Sequence, residues 1–159
     1  MSLAYVGIGS NLLDPAAQVK SALAELGRLP RTRILKSSSL YRTAPIGHAD
    51  QPQFVNAVAS LETSLQPAEL LAELQKIEKQ HGRQRSFKDA PRSLDLDLLL
   101  FDEIIQKRAQ LTLPHPRMHE RAFVLKPLLE IAPGIAIPGV GPAAARLPEI
   151  ADQQVERIP

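Results

Sequence analysis

The chain contains no cysteine and no tryptophan, and phenylalanine and tyrosine together make up only 4% of its 159 residues. Without cysteine it can form no disulfide, carry no thiol nucleophile and bind no cysteine-ligated zinc. So few aromatic side chains argue against a sheet that stacks nucleic-acid bases. No apolar run approaches the roughly 20 residues of a membrane-spanning helix, and residues 1–6 lack the features of a signal peptide. We therefore expect a cytoplasmic protein with no membrane partner.

The composition is otherwise that of a folded protein, with 44% hydrophobic and 23% charged residues. A chain of 159 residues can bury a core of its own, so residues 1–159 are expected to form one domain, and we expect a monomer. The net charge of +2 is too small to indicate a nucleic-acid partner. Basic residues are nevertheless clustered in a way that suits an anionic small molecule: His81, Arg83, Arg85, Lys88, Arg92, Arg117 and Arg121.

Two aspartates interrupt an apolar run at residues 94–101, Leu-Asp-Leu-Asp-Leu-Leu-Leu-Phe. Because alternate side chains of a strand share a face, Asp95 and Asp97 are expected side by side, about 7 Å apart along the chain. Two like charges so placed need compensation, which divalent cations bridging them to phosphate oxygens would supply. An ordinary strand with one solvated face gives the same pattern, so the motif alone leaves both interpretations open.

Three arginines precede this strand, at Arg83, Arg85 and Arg92. Guanidinium groups next to metal-binding carboxylates are suited to clamping a polyphosphate, because they bind its oxygens in a bidentate way. The same arginines could instead do no more than neutralise the aspartates. Their clustering therefore favours phosphate chemistry without establishing it.

The pattern of apolar residues and turn signals predicts the order β-α-β-β-α-β, which is that of a ferredoxin-like α+β fold. We expect an antiparallel sheet with packed helices in a three-layer αβα arrangement. Asp14 and Pro15 are typical of a helix start, and Gly27 of its end. The expected strands are residues 3–8, 33–42, 54–61 and 94–101. One helix is expected after Asp14, a second over residues 67–80, and a third over residues 118–131 with an interruption at Pro127. A hairpin is expected within residues 103–113. The tail from residue 133 is expected to have little regular structure.

Three stretches match one enzyme family in order and spacing. They are residues 88–99 (Lys-Asp-Ala-Pro-Arg-Ser-Leu-Asp-Leu-Asp-Leu-Leu), residues 114–125 (Pro-His-Pro-Arg-Met-His-Glu-Arg-Ala-Phe-Val-Leu), and the set formed by 9–11, 41–45 and 54–56. The chain thereby resembles the 6-hydroxymethyl-7,8-dihydropterin pyrophosphokinases of folate biosynthesis. The resemblance covers about residues 4 to 133.

The resemblance implies transfer of pyrophosphate from ATP, the co-substrate, to the hydroxymethyl oxygen of the pterin, with AMP as the other product. It further implies that Asp95 and Asp97 hold two Mg²⁺ ions. Since phosphoryl transfer of this kind depends on alignment and charge stabilisation, no covalent protein nucleophile is required. The catalytic residues implied are Arg83, Arg85, Arg92, Asp95 and Asp97.

The resemblance also implies two binding pockets. For the pterin, Phe54 and Phe123 would sandwich the ring and Asn56 would bind its polar edge. Core packing is the competing explanation for Phe123, and a plain polar helix face for Gln75 and Glu78. The complete pterin set is Thr43, Ala44, Ile46, Phe54, Asn56 and Phe123; the nucleotide set is Gln75, Glu78, Arg85, Arg92, Leu98, Thr112, His115 and Arg121.

Two other functions fit parts of the pattern. A two-metal nucleotidyltransferase would also carry paired aspartates on such a sheet, but it would need a further carboxylate on a neighbouring strand, for which Glu62 or Asp102 are the candidates. It would release pyrophosphate rather than AMP. A nucleotide- or RNA-binding module would need more aromatic residues than this chain has.

Overall fold

The computed structural model describes residues 1–11, 14–43, 53–82 and 94–159. In this part of the chain the sheet and its helices have the following bounds. The strands are β1 (Ser2–Ser10), β2 (Thr32–Ser37), β3 (Tyr41–Thr43), β4 (Phe54–Thr63), β5 (Asp95–Phe101), β6 (Gln106–Lys107), β7 (Thr112–Leu113), β8 (Ala136–Ile137), β9 (Gly141–Pro142) and β10 (Val155–Arg157). The helices are α1 (Pro15–Leu26), α2 (Pro67–Gln80) and α3 (Ala122–Ile131), with 3₁₀ helices at Met118–Glu120 and Ala143–Ile150.

The main sheet is antiparallel and has the strand order β10-β3-β4-β1-β5, with β2 also paired to the long strand β4. Two short hairpins, β6-β7 and β8-β9, lie outside it. This confirms the predicted mixed fold with an antiparallel sheet. Within the ranges described above, no helix has the length and apolar character needed to cross a membrane.

The two faces of the sheet are packed differently because residues alternate along its strands. On β1, Ala4, Val6 and Ile8 point into one core, which they share with the apolar stripes of α1 and α2. A second core on the opposite face joins β4 and β5 to α3 and the 3₁₀ helix Ala143–Ile150.

Local signals give the helix ends correctly. The Asp14 carboxylate accepts a hydrogen bond from the Ala17 backbone N–H at 3.3 Å, and Pro15 occupies the first turn, as predicted. Helix α2 spans the predicted range and precedes Gly82, whose φ is 78°. These helices therefore begin and end where their own sequence specifies.

The prediction of one strand over residues 33–42 is wrong. Strand β2 ends with Ser37 opposite Ala59, and β3 begins with Tyr41 opposite Asn56. At this break, residues 38–40 lie opposite residues 57–58 of β4, so the β2–β3 side has one residue more. Ser38 occupies the break: its N–H donates to the Val58 carbonyl and its Oγ accepts from the Val58 N–H, each at 2.9 Å. A serine side chain thus replaces one backbone partner of the ladder.

The helix predicted over residues 118–131 is divided at Arg121 and not at Pro127. Arg121 has extended dihedral angles, φ −120° and ψ 115°, between the 3₁₀ helix Met118–Glu120 and α3. Pro127 lies inside α3, where it has no backbone N–H to donate to the helix.

The prediction that the tail from residue 133 has little regular structure is also wrong. Ile137, Ala143 and Ile150 are buried in the second core, at 1%, 0% and 3% exposure. Strand β10 then joins the edge of the main sheet beside β3, and the Ile158 N–H donates to the Leu40 carbonyl at 2.8 Å. These elements are short and form against distant partners, so local patterns do not reveal them.

Candidate active site

One row of directly opposed residues crosses the whole sheet. Asp95 lies opposite Gly9, Gly9 opposite Asn56, Asn56 opposite Tyr41, and Tyr41 opposite Arg157. Because neighbouring strands are about 4.8 Å apart, the backbones at Asp95 and Asn56 are separated by about 10 Å. The residue between them is Gly9, which we call the glycine floor because it adds no side chain between the Asp95 carboxylate and the Asn56 amide.

The glycine floor is closely fitted to Asn56. A Cβ atom added at Gly9 would lie 2.8 Å from Asn56 Oδ1, closer than real Cβ atoms approach. The Asn56 amide also donates from Nδ2 to Thr43 Oγ1 at 3.3 Å, and both side chains are buried. The carboxamide is therefore held in one orientation over β1. Thr43 and Asn56, both predicted to bind the pterin, lie together.

Asp95 and Asp97 are both half-buried and alternate with the buried side chains of Leu94, Leu96 and Leu98. This confirms that the two aspartates share the face opposite the leucines. Asp97 lies opposite Gly7, so each aspartate has a glycine as its neighbour on β1. The Asn56 carboxamide packs against Gly9, and a Cβ atom at Gly7 would lie 3.5 Å from the Leu99 side chain, so each glycine lets a neighbouring side chain approach β1.

The donor set suits Mg²⁺, which binds one or two carboxylates and completes its shell with phosphate oxygens and water. Within the described ranges no group of three or more His, Cys, Asp or Glu residues is arranged to hold a metal ion. Substrate phosphates and water would supply further ligands to a metal ion at Asp95 and Asp97.

His115 lies next to this carboxylate pair. Its backbone N–H donates to the Leu99 carbonyl of β5 at 2.8 Å, and its Nδ1 accepts from the Arg117 N–H at 3.2 Å. Burial lowers the pKa of the imidazole below its ordinary value of 6.5. Asp97 acts against this shift, whereas Arg121 adds to it. The charges of Asp97 and Arg121 thus both act on the His115 imidazole.

Arg121 and Phe123 stand at the start of α3. The Arg121 guanidinium carbon lies 5.5 Å from the centroid of the Phe123 ring, a cation–π contact. Phe123 is partly buried against the second core, so packing accounts for part of its position. Phe54 is 38% exposed and lies opposite Thr43 on the paired strand. Each aromatic ring thus has an accessible part.

Glu78 has a position that sequence reasoning did not anticipate. Its side chain is only 4% exposed, and Oε2 accepts a hydrogen bond from the Leu96 N–H at 2.8 Å, between the two aspartates of β5. Gln75, on the same helix, is exposed. A signal was available, because Glu78 follows Leu70 and Leu74 at a spacing that keeps it on the apolar stripe of α2.

The other predicted residues fall into two groups. Leu98 is buried with its side chain in the first core, which leaves its backbone as the part available to a ligand. Thr112 lies in the β6-β7 hairpin, where its hydroxyl donates to the Arg108 carbonyl at 3.4 Å. The remaining five predicted site residues lie outside the described residues: Ala44, Ile46, Arg83, Arg85 and Arg92.

The candidates for a third carboxylate lie at the other end of the sheet. Leu3 lies opposite Glu62, and the Leu3 N–H donates to the Asp102 carboxylate at 2.8 Å. Leu3 is six residues from Gly9 along β1, which corresponds to about 20 Å. Neither carboxylate can therefore join Asp95 in a metal site, so neither supplies the further carboxylate that a nucleotidyltransferase would need.

The chain is similar in sequence to known proteins. Residues 5–133 match the family model described as 7,8-dihydro-6-hydroxymethylpterin-pyrophosphokinase (HPPK). The chain is 45% identical over 159 residues to the 2-amino-4-hydroxy-6-hydroxymethyldihydropteridine pyrophosphokinase of Pseudomonas aeruginosa, covering 98% of this chain and 96% of the relative. It is 41% identical over 158 residues to the protein of the same description from Haemophilus influenzae, covering 99% of each.

Solved structures share the fold. Wild-type Plasmodium falciparum HPPK-DHPS with pterin and p-hydroxybenzoate matches with a TM-score of 0.73 at 12% identity, over 93% of this chain and 41% of that one. A second HPPK-DHPS structure in complex with substrates matches with a TM-score of 0.71 at 14% identity, over 93% and 43%. The chain thus spans less than half of these structures, and at such identities the match concerns the fold alone.

Proposed function

Because the chain belongs to the 7,8-dihydro-6-hydroxymethylpterin-pyrophosphokinase family, we propose that it transfers pyrophosphate from ATP to the hydroxymethyl group of 6-hydroxymethyl-7,8-dihydropterin across the Asp95–Gly9–Asn56 row. The enzyme class, an ATP-dependent diphosphotransferase of folate biosynthesis, follows from the family. The assignment of individual residues is our proposal. It is carried by one observation: Asp95 and the fixed amide of Asn56 lie on either side of Gly9, with their backbones about 10 Å apart.

Each substrate binds at a different end of the Asp95–Gly9–Asn56 row. The pterin, a flat heterocycle with donors and acceptors on its edge, lies against Asn56 and Thr43, with Phe54 and Phe123 on its faces and Ala44 and Ile46 completing the pocket. The hydroxymethyl group then extends over Gly9 toward Asp95. Its oxygen attacks the β-phosphorus of ATP, and the bond from that phosphorus to the α-phosphate oxygen breaks to release AMP.

The phosphate end combines the two carboxylates with basic residues. Arg121 and His115 bind the phosphate chain from the α3 side, and Arg83, Arg85 and Arg92 bind it from the segment that precedes β5. These groups align the chain for in-line displacement, which is the main requirement of phosphoryl transfer. Gln75, Glu78, Leu98 and Thr112 complete the nucleotide site, with Leu98 acting through its backbone.

Asp95 and Asp97 are the residues that hold two Mg²⁺ ions. Their half-buried carboxylates provide oxygen ligands, and each lies opposite a glycine that adds no side chain of its own. Mg²⁺ bound there would neutralise phosphate charge and lower the pKa of the attacking hydroxyl group. Mg²⁺ would also offset the repulsion between these carboxylates and the phosphate chain.

We also propose a fold type, a single domain and a monomeric state for the chain. The helices α1 and α2 on one face of the sheet and α3 on the other are consistent with a ferredoxin-like, three-layer αβα arrangement. We propose that residues 1–159 form one domain that works as a cytoplasmic monomer with small-molecule substrates. Sedimentation equilibrium at several concentrations tests the monomer, and a mass that rises with concentration would contradict it.

A product assay tests the reaction. We expect Mg²⁺-dependent formation of AMP and pterin diphosphate in equal amounts, and only when the hydroxymethyl pterin is present. Chromatographic separation of the nucleotides distinguishes the alternatives. ADP as the product would indicate transfer of a single phosphoryl group, and free pyrophosphate would indicate a nucleotidyltransferase; either result would refute the proposal.

A further inference from the structure

The start of α3 depends on a residue from the end of the chain. The first backbone N–H of the helix, that of Ala122, is fully buried and donates to the side-chain Oε1 of Gln153 at 2.8 Å. The same side chain donates from Nε2 to the carbonyl of Glu120 at 2.9 Å. One carboxamide therefore joins the last carbonyl of the 3₁₀ helix to the first amide of α3, and the residue between them is Arg121.

The segment that carries Gln153 is itself held in place by backbone hydrogen bonds. The Gln153 backbone N–H donates to the carbonyl of Ile150, which is buried in the second core. Two residues later the chain enters β10, where Val155 lies opposite Thr43. The segment that carries Gln153 is thus anchored on one side by the core and on the other by the strand of the pterin pocket.

The direction of the Arg121 side chain follows from these bonds. Arg121 is the single extended residue between two helical segments, so its backbone orientation is set by the peptides on each side. Gln153 binds both of those peptides. Phe123 belongs to the first turn of the same helix and is in contact with the Arg121 guanidinium. A change at Gln153 would therefore move both side chains.

From this geometry we propose that Gln153 is a positioning residue that aims Arg121 at the nucleotide phosphates and Phe123 at the pterin. The inference rests on the roles proposed above for Arg121 and Phe123. Gln153 lies beyond residues 5–133, the part matched by the family model, so the positioning device belongs to the C-terminal segment of this chain.

The test is titration of a non-hydrolysable ATP analogue with Mg²⁺, and separately of the pterin, into Gln153→Met. Methionine keeps the length of the side chain but removes both hydrogen bonds. We expect the dissociation constants for both ligands to rise about fivefold to tenfold, because two hydrogen bonds that orient the site are lost. Gln154→Met is the matched control: Gln154 is exposed on the same segment, and its affinities should stay within twofold of the wild type.

A second variant keeps the proposal testable if Gln153→Met does not fold. Gln153→Glu retains an acceptor for the Ala122 N–H and loses the donor to Glu120, so we expect a rise of about threefold in both constants. Unchanged affinities in a folded Gln153→Met or Gln153→Glu protein, even with a lower melting temperature, would overturn the proposal, since Gln153 would then only stabilise the fold.

Single and double variants separate this proposal from the roles of Arg121 and Phe123. Arg121→Ala should weaken binding of the ATP analogue, Phe123→Leu should weaken binding of the pterin, and Gln153→Met should have no further effect on nucleotide affinity when added to Arg121→Ala. Normal nucleotide affinity in Arg121→Ala would refute the site assignment itself. Weakened binding in Arg121→Ala combined with normal binding in Gln153→Met would refute only the positioning role.

Discussion

At the scale of single residues, the site depends as much on absent side chains as on present ones. Gly7 and Gly9 lie between the aspartates of β5 and the residues of β4, in the middle of the sheet. Strand interiors usually disfavour glycine, because it adds no packing and costs conformational entropy. Here Gly9 makes room for the Asn56 carboxamide, which we propose binds the pterin, and Gly7 lies under the Leu99 side chain. The cost in stability at Gly9 is thus linked to function.

A first prediction concerns the carboxylates. Asp97→Asn should lower the rate of AMP formation by about 100-fold or more, because a neutral amide is a much poorer ligand for Mg²⁺. The rate is measured with both substrates saturating. Asp102→Asn is the control: Asp102 lies just beyond β5 and accepts a hydrogen bond from the Leu3 N–H, which an asparagine oxygen can also accept. Equal activity in Asp97→Asn and the wild type would exclude the metal site.

A second prediction concerns the glycine floor. Gly9→Ala should raise the dissociation constant of the pterin about threefold to tenfold, because the new methyl group forces the Asn56 carboxamide out of its position. Isothermal titration of the pterin measures this. Gly134→Ala is the control, since a Cβ atom there would meet no heavy atom within 4 Å among the described residues. Pterin affinity unchanged in Gly9→Ala would show that Asn56 does not need its observed orientation.

At the scale of elements, α2 supports the catalytic strand through a buried carboxylate. Glu78→Ala should lower the free energy of unfolding by about 1–3 kcal/mol, because the Leu96 N–H loses its acceptor inside the protein. Urea denaturation measures the loss. Glu73→Ala, which removes a surface ion pair with Lys76 on the same helix, should cost less than about 1 kcal/mol. Equal losses in the two variants would contradict the supporting role of Glu78.

Helix α3 is tied to the sheet by Glu130, and this connection depends on pH. The Glu130 carboxylate accepts hydrogen bonds from the Tyr41 hydroxyl at 2.6 Å and from the Ser39 N–H at 3.0 Å. Burial alone would raise the pKa of Glu130, but these hydrogen bonds outweigh it and lower that pKa below 4.5. Burial and the bond to Glu130 raise the pKa of Tyr41 to about 12.

The sign of the pH effect follows from the lowered pKa. The stabilisation from Glu130 is fully present above its ordinary pKa of 4.5 and is lost as the pH falls through the lower pKa of the folded state. Glu130→Gln should therefore be less stable than the wild type by about 1 kcal/mol near neutral pH, and the difference should shrink in acid. Urea unfolding across this range measures it, with the exposed Glu156→Gln as control. A difference that grows in acid would contradict this account.

The elements that sequence predicts well are those with signals of their own. Asp14 with Pro15, and Pro67 with Gly82, mark the bounds of α1 and α2, and the alternation of aspartate with leucine gives the facing of β5. The break at Ser38 and the division at Arg121 were not predictable in this way. Each depends on a partner far along the chain, Val58 in one case and Gln153 in the other.

At the scale of the whole molecule, the C-terminal segment connects parts of the site that lie far apart in sequence. Through β10 it pairs with Thr43, and through Gln153 it holds the start of α3. A three-residue strand carries too little pattern to be recognised from sequence, because its stability comes from the sheet edge it joins. The family resemblance ends near residue 133, so it could not reveal this support.

The central claim is that the Asp95–Gly9–Asn56 row joins two substrates in one site. The most direct measurement is calorimetric titration of the pterin with and without a non-hydrolysable ATP analogue and Mg²⁺, in the wild type and in Asp97→Asn. We expect the analogue with Mg²⁺ to tighten pterin binding in the wild type and to have much less effect in Asp97→Asn, because the carboxylate couples the two ligands. Pterin affinity that is the same with and without nucleotide in the wild type would contradict a shared site.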